Sequence, residues 1–155
     1  CTLDGFIKRF EILGDGRLSD PEMISTLRDH RRALEVEQDE KIIVGFAFAP
    51  WSTPNKLEAW ITYAGNYEFQ RGPNWDCHIA RLRGAQLEEI QDMVIHLPRS
   101  TKDHLSNSLA FGPDQQLYLL QGGNTAMGRA DITWNRREEN LLSAALFKLG
   151  HPSSR

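Results

Sequence analysis

The sequence predicts an all-β protein, and three observations lead to that class. Apolar and polar residues alternate along several short runs, most clearly at 57–63, as expected for strands with one better-buried face. Clusters of glycine, proline, asparagine and aspartate, such as 50–55 and 112–114, separate these runs. Helical periodicity is weak, and only 31–37 and 85–91 suit a turn or two of helix.

Composition excludes several classes of protein. The 155 residues are 40% hydrophobic and 25% charged, which is ordinary for a globular domain and not for a disordered tail. The net charge is −3 without a basic stripe, so nucleic acid is not expected as a partner. The longest apolar run, 42–50, is too short to span a membrane. Cys1 and Cys77 are too few for a disulfide scaffold and lack metal-ligand spacing.

Four sets of segments recur in the same order along the chain, which indicates an internal repeat. They are 45–50 with 108–113, 59–65 with 117–123, 22–27 with 92–97, and the motif apolar-x-basic-apolar at 7–10, 79–82 and 146–149. Each segment has the pattern of a strand. A repeat of roughly 60 to 70 residues with four strands fits a β-propeller blade with enlarged loops, since typical blades take about 40 to 50. A β-sandwich with accidental similarity is the alternative.

The repeat predicts an incomplete β-propeller of about two to three blades, each a four-stranded antiparallel sheet. We expect residues 1–155 to form a single fragment with an outer half blade at about 5–27, a full blade at about 41–97 and the inner part of a blade at about 107–149. Closed propellers need about 4 to 8 blades, so the missing blades of a parent chain are expected partners. Small residues at Gly45, Ala47 and Ala49 suit a crowded innermost strand.

One run in the third unit carries a family resemblance. Residues 103–118 read Asp-His-Leu-Ser-Asn-Ser-Leu-Ala-Phe-Gly-Pro-Asp-Gln-Gln-Leu-Tyr. This run resembles the glucose/sorbosone dehydrogenase-like family, the soluble quinoproteins, which are six-bladed β-propellers. The resemblance implies a periplasmic or extracellular enzyme that oxidises a small-molecule sugar or alcohol. It also implies pyrroloquinoline quinone (PQQ), held by Ca²⁺, as the hydride acceptor.

The resemblance assigns site residues to this chain. His104 takes the place of the family's catalytic base, five residues before Leu109. A neutral imidazole suits proton abstraction from a hydroxyl near neutral pH. Candidate cofactor contacts are Glu40, Gln121 and Asn124, Asp103 is a candidate substrate contact, and no metal ligand is assigned. Apart from the resemblance, Trp51 and Trp134 are candidate substrate contacts because they fall in loops and an aromatic ring can stack on a sugar.

Two departures from the family pattern keep a second function open. Ser108 stands where the family has an arginine, and Gly123 where it has an aspartate. These departures favour a non-catalytic extracellular propeller that binds carbohydrate or protein. On that interpretation His104 is a solvated loop histidine, 121–125 is a turn that needs positive φ, and the tryptophans supply packing.

Overall fold

A computed structural model describes residues 1–33, 41–65, 75–99, 104–125, 127–132 and 136–150, without the side chains of 31–33. These ranges contain one short helix and antiparallel strands, so the all-β prediction is confirmed. The elements are β1 (Ile7–Arg9), β2 (Glu22–Ile24), α1 (Thr26–Ala33), β3 (Lys41–Phe48), β4 (Glu58–Gly65), β5 (Cys77–Arg83), β6 (Glu89–Leu97), β7 (Ser106–Phe111), β8 (Leu117–Gln121) and β9 (Ala145–Leu149).

The strands form three open sheets in which chain neighbours are also spatial neighbours. The first sheet pairs β1 with β2, the second has the order β3-β4-β5-β6, and the third has the order β7-β8-β9. Every pairing is antiparallel. Strands that are consecutive in the chain and pair antiparallel need no crossover connection.

The helix lies earlier than the sequence pattern predicted. α1 begins at Thr26, where the Ser25 carbonyl accepts the Asp29 amide at 2.9 Å, and residues 34–37 of the predicted segment lie outside the described residues. The prediction of a second helical segment, at 85–91, is wrong. Leu87 has φ +55°, its amide closes a turn on the Gly84 carbonyl at 3.1 Å, and β6 begins at Glu89. A residue at positive φ cannot continue a right-handed helix.

The internal repeat extends to the register of the strand pairs. Adding 63 to the residue numbers of β3 and 58 to those of β4 turns five pairs of the second sheet into the five pairs of β7 with β8. Phe46 opposite Ile61 thus corresponds to Leu109 opposite Leu119. Adding 58 to the residue numbers of β4 and 67 to those of β5 likewise gives all five pairs of β8 with β9. The repeated segments therefore occupy equivalent strands in equivalent registers.

A β-bulge recurs at the same place in both sheets. Between Ile43 and Gly45 the register of β3 slips against β4, and between Ser106 and Ser108 the register of β7 slips against β8. The extra residues are Val44 and Asn107, again 63 positions apart. Because a bulge turns the following side chains to the other face, both strands change face at the same point.

The second sheet is the middle of three layers. All eight residues of β4 are buried, as expected for a strand covered on both faces. One apolar cluster joins the second sheet to the first and includes Ile7, Ile24, Ile43, Ile61 and Leu82. A second cluster joins the second sheet to the third and includes Ile42, Trp60, Ile79, Leu109 and Leu119. The fold is thus a stack of sheets held by two separate cores.

Candidate active site

Each of the two larger sheets has two ends, which carry different residues. At one end β3, β5, β7 and β9 begin and β4, β6 and β8 finish, and we call it the "His104 end". The opposite end, where β3 and β7 finish, we call the "Trp51 end". Antiparallel pairing brings residues just before β7 and just after β8 together at the His104 end.

His104 lies just before β7 and contacts the loop after β8. Its Nδ1 lies 3.2 Å from the carbonyl oxygen of Gly123, and the residue is half-buried. A carbonyl only accepts hydrogen bonds, so Nδ1 carries the hydrogen and the lone pair of the neutral ring is on Nε2. The backbone bond therefore selects the tautomer that has its lone pair on Nε2.

Gly122 permits the close approach of the two segments. A Cβ at this position would lie 3.0 Å from the His104 carbonyl carbon and 3.1 Å from its Cα. The Gly122 amide also donates to the Leu105 carbonyl at 2.8 Å. The sequence interpretation of this glycine pair as a positive-φ turn is wrong, because neither Gly122 nor Gly123 has positive φ. A glycine is required at position 122 because the backbone at His104 lies too close for a side chain.

The Glu139 carboxylate organises the loop that carries the Gly123 carbonyl. It accepts hydrogen bonds from the amides of Asn124 at 2.9 Å and Thr125 at 3.1 Å, from the Thr125 hydroxyl at 2.6 Å, and from the Ser143 hydroxyl. Partial burial opposes ionisation of Glu139, but the bonds from Asn124, Ser143 and Thr125 outweigh it and hold the pKa of Glu139 below its ordinary range. An ionised Glu139 thus fixes the loop beside His104.

The two described cofactor candidates differ in what their amides contact. Gln121 is buried, its Oε1 accepts from the Ser106 hydroxyl at 2.6 Å, and its Nε2 donates to the Pro98 carbonyl at 2.8 Å. Asn124 donates through Nδ2 to the Glu138 carbonyl at 3.2 Å, while its buried Oδ1 has no hydrogen-bond partner. Gln121 therefore holds the loop together and does not fit a cofactor contact, whereas Asn124 has an unfilled acceptor.

The candidate substrate residue Trp51 does not share a site with His104. It follows β3 at the Trp51 end, 38% exposed, with its ring edge-on to Phe111 at 5.4 Å between centroids. The eight residues of β3 separate the two ends by roughly 25 Å. Glu40, Asp103 and Trp134 lie outside the described residues.

The two family departures have different surroundings. Ser108 is exposed on β7. At Gly123, a Cβ would lie 3.0 Å from Oε1 of Glu139, so a carboxylate from another part of the chain already lies beside the position where the family has an aspartate.

The sequence analysis missed a buried charged centre, also at the His104 end. The Asp76 carboxylate lies 3.7 Å from the Lys41 ammonium, 3.6 Å from the Arg99 guanidinium and 3.1 Å from Nε2 of His78. All four residues are buried. Asp76 also accepts the Gly65 amide at 2.7 Å. Burial raises the pKa of Asp76, but the His78 bond, the Lys41 charge and the Gly65 amide together hold it below its ordinary value.

The charged centre is the register counterpart of the His104 site. A shift of 63 residues carries Lys41 onto His104, and a shift of 58 carries Gly65 onto Gly123. In the second sheet the amide of Gly65, the last residue of β4, bonds to Asp76. In the third sheet the amide of Asn124, one residue after the counterpart of Gly65, bonds to Glu139. The signal in the sequence was Asp76-x-His78, two polar residues around the start of a strand.

A chain of side chains links the charged centre to α1. The His78 ring stacks on Tyr63 at 4.8 Å, the Tyr63 hydroxyl donates to Asp92 at 2.7 Å, and Nε2 of His30 lies 3.3 Å from the other Asp92 oxygen. His78 therefore has structural neighbours on two strands, which its position in the sequence did not indicate.

Metal and thiol chemistry find little support in the described ranges. Among those residues no three His, Cys, Asp or Glu side chains are grouped to hold a metal ion. Cys1 is exposed, and Cys77 is fully buried with its pKa raised by desolvation. No helix in the described part of the chain is long and apolar enough to cross a membrane.

Neither models of protein families nor curated protein sequences match this chain.

The Glu139 contacts predict a specific loss of stability. We expect Glu139→Gln to lower the free energy of unfolding by at most about 1 kcal/mol at pH 7, because charged acceptors make stronger bonds but Glu139 is exposed and solvent weakens its bonds. The folded-state pKa of Glu139 is depressed, so its contribution is present above its ordinary value of 4.5 and lost as the pH falls through the folded-state pKa. Urea unfolding at pH 7 and pH 3 measures both effects.

Glu138→Gln is the matched control. Glu138 is exposed, and only its backbone carbonyl bonds to the loop, through Asn124. Its substitution should leave stability unchanged at both pH values. Equal losses in the two variants would refute the role given to Glu139.

Proposed function

We propose that this chain contributes consecutive blades to a β-propeller. Its support is the repeat of strand order, register and bulge between the second and third sheets, together with their face-to-face stacking. One strand pair of the first sheet fits the same scheme, since Ile7 opposite Ile24 corresponds to Ile79 opposite Val94. The register of β5 against β6 shifts after Ile79, so the other two pairs of the first sheet do not correspond. Sheets related in this way favour radial repetition.

The proposed activity is oxidation of a sugar or alcohol hydroxyl in the manner of the quinoprotein dehydrogenases, with His104 as general base. The observation that carries this proposal is the bond from His104 Nδ1 to the Gly123 carbonyl at 3.2 Å. It assigns the lone pair to Nε2, the atom that would take the hydroxyl proton. The loop held by Glu139 keeps that carbonyl in position.

PQQ and Ca²⁺ belong to this proposal through the resemblance alone. Gln121 does not fit a cofactor contact because the oxygen and the nitrogen of its side-chain amide both bond within the protein. Among the described residues the Oδ1 of Asn124 has no hydrogen-bond partner, which suits a hydroxyl or water donor. A periplasmic or extracellular location is likewise part of the proposal.

The decisive assay measures dye reduction with a panel of sugars and alcohols after addition of PQQ and Ca²⁺. We expect substrate-dependent reduction that His104→Asn lowers by about 10² to 10⁴, the range typical of a lost general base. His96→Asn is the control: His96 is exposed near the end of β6, and its φ of +60° suits asparagine. Equal activity in both variants would contradict the role of His104.

A non-catalytic propeller that binds carbohydrate or protein is the second candidate. The closed hydrogen bonding of Gln121 favours it, because the buried amide bonds within the protein, and so does Ser108, a neutral residue where the family has an arginine. Folds of this kind host many functions. Absence of quinone binding, with unchanged thermal stability after Ca²⁺ chelation, would support this candidate over the dehydrogenase.

A further inference from the structure

A single peptide group joins the Glu139 carboxylate to the His104 ring. The amide of Asn124 donates to Oε2 of Glu139 at 2.9 Å. The carbonyl of the same peptide group, that of Gly123, accepts from Nδ1 of His104 at 3.2 Å. Because the carbonyl and the N–H of a peptide group are conjugated in one plane, the carboxylate and the ring bond to opposite ends of one dipole.

Neighbouring bonds hold this peptide group in place from both sides. On one side the Gly122 amide donates to the Leu105 carbonyl at 2.8 Å, and the Gly122 carbonyl accepts from the Ala144 amide at 3.1 Å. On the other side the amide and the hydroxyl of Thr125 donate to Oε1 of Glu139 at 3.1 and 2.6 Å. The bonds of Gly122 do not involve the carboxylate, so its removal should act on the loop locally.

The second sheet makes the equivalent connection without an intervening peptide group. Lys41 is the register counterpart of His104, and its ammonium lies 3.7 Å from the Asp76 carboxylate. The 67-residue shift that carries β5 onto β9 carries Asp76 onto Ser143, which has no carboxylate. The Ser143 hydroxyl donates instead to Glu139. Glu139 therefore supplies to the third sheet the negative charge that Asp76 supplies to the second.

A charge at the N–H end of the peptide group strengthens the bond at its carbonyl end. The Glu139 carboxylate is ionised at neutral pH, since its pKa lies below the ordinary value. Hydrogen bonds in series polarise one another, so an ionised acceptor on the Asn124 amide makes the Gly123 oxygen more negative. A more negative oxygen favours a ring hydrogen on Nδ1 of His104, and it favours the positively charged ring still more.

We propose that Glu139 is a positioning residue for His104. Acting through the peptide group between Gly123 and Asn124, its carboxylate fixes the ring hydrogen on Nδ1 and stabilises the ring when Nε2 takes a proton. A carboxylate bonded directly to histidine does the same in catalytic triads; here one peptide group lies between them. The use of the ring as a base rests on the proposed dehydrogenase function, whereas the effect of Glu139 on the ring does not.

NMR of the 155-residue protein with ¹⁵N-labelled histidine measures which ring nitrogen carries the hydrogen. The signals of His104 are those that disappear in His104→Asn. In mildly alkaline buffer, where the ring is neutral, we expect the wild type to carry the hydrogen mainly on Nδ1. Glu139→Gln should shift the ratio of the two tautomers about two- to fivefold toward Nε2–H, which corresponds to at most one ordinary hydrogen bond.

Two control variants separate the charge from the structure of the loop. Glu138→Gln removes an exposed carboxylate from a residue that bonds to the loop only through its backbone carbonyl. Ser143→Ala removes one donor to Glu139 and retains the carboxylate. Both variants should keep the wild-type ratio, and circular dichroism checks that every variant folds. An unchanged ratio in Glu139→Gln, or an equal shift in either control, would overturn the proposal.

The dye-reduction assay separates this inference from the proposed activity. If His104 is the base, Glu139→Gln should lower kcat about two- to fivefold with KM nearly unchanged, as expected when an interaction specific to the transition state is lost. A tautomer shift without dye reduction in any variant would support the role of Glu139 and refute the dehydrogenase. Dye reduction that depends on His104, without a tautomer shift in Glu139→Gln, would support the dehydrogenase and refute the role of Glu139.

Discussion

Replacing Gly45 with alanine is expected to destabilise the protein by about 3 kcal/mol, because β3 and β7 meet too closely at this point for a side chain. A Cβ on Gly45 would lie 2.7 Å from the Thr62 hydroxyl oxygen, 3.2 Å from the Asn107 carbonyl oxygen and 3.4 Å from the Leu109 amide nitrogen. Two of these atoms are backbone, so relief requires the sheets to separate. The bond from the Gly45 amide to Thr62 Oγ1, 2.7 Å long, would be strained as well.

Gly14→Ala is the matched control for this substitution. Gly14 lies in an exposed loop, without positive φ, and has no atom within 4 Å of its ideal Cβ position. Chemical denaturation should give a reduced midpoint for Gly45→Ala and an unchanged one for Gly14→Ala. Similar midpoints for both variants would mean that β3 and β7 are not in contact as described.

Gly45 also explains how much of the fold the sequence revealed. The run Gly45-Phe46-Ala47 predicted a crowded strand, because small residues on one face are visible in a sequence. Its recurrence at 108–110 revealed the repeat, because equivalent strands need similar patterns of side chains. The direction of packing was not visible, since the bulge at Val44 changes the face that later residues occupy.

The candidate site was less visible in the sequence. His104 was found through a resemblance, but the roles of Gln121 and Glu139 depend on hydrogen bonds to residues distant in the chain, such as Ser106 and Asn124, each 15 positions away. Trp51 was grouped with His104 by residue type, although strand direction sets them at opposite ends of the sheets. Linear spacing carries no information about which end of an antiparallel sheet a loop joins.

The charged centre around Asp76 yields the second large expected effect. Asp76→Asn should lower the free energy of unfolding by about 3 to 5 kcal/mol, because it removes the negative charge that lies beside two buried cations. Lys41 and Arg99 would then share a buried environment without the carboxylate that lies 3.7 and 3.6 Å from them. Denaturant unfolding at pH 7 measures the loss. Asp15→Asn, at an exposed residue paired only with nearby Arg17, is the control and should have little effect.

The same carboxylate should give the protein a distinct acid sensitivity. The pKa of Asp76 is lower in the folded protein than its ordinary value of 3.8, so the unfolded state binds the proton more readily. Its stabilising contribution is therefore complete above about pH 4 and is lost as the pH falls through the folded-state pKa. Asp76→Asn removes this contribution at every pH, so the stabilities of variant and wild type should approach each other as the pH falls below 3.8. A constant difference between them down to pH 2 would show that packing around residue 76, rather than its charge, determines the stability of this centre.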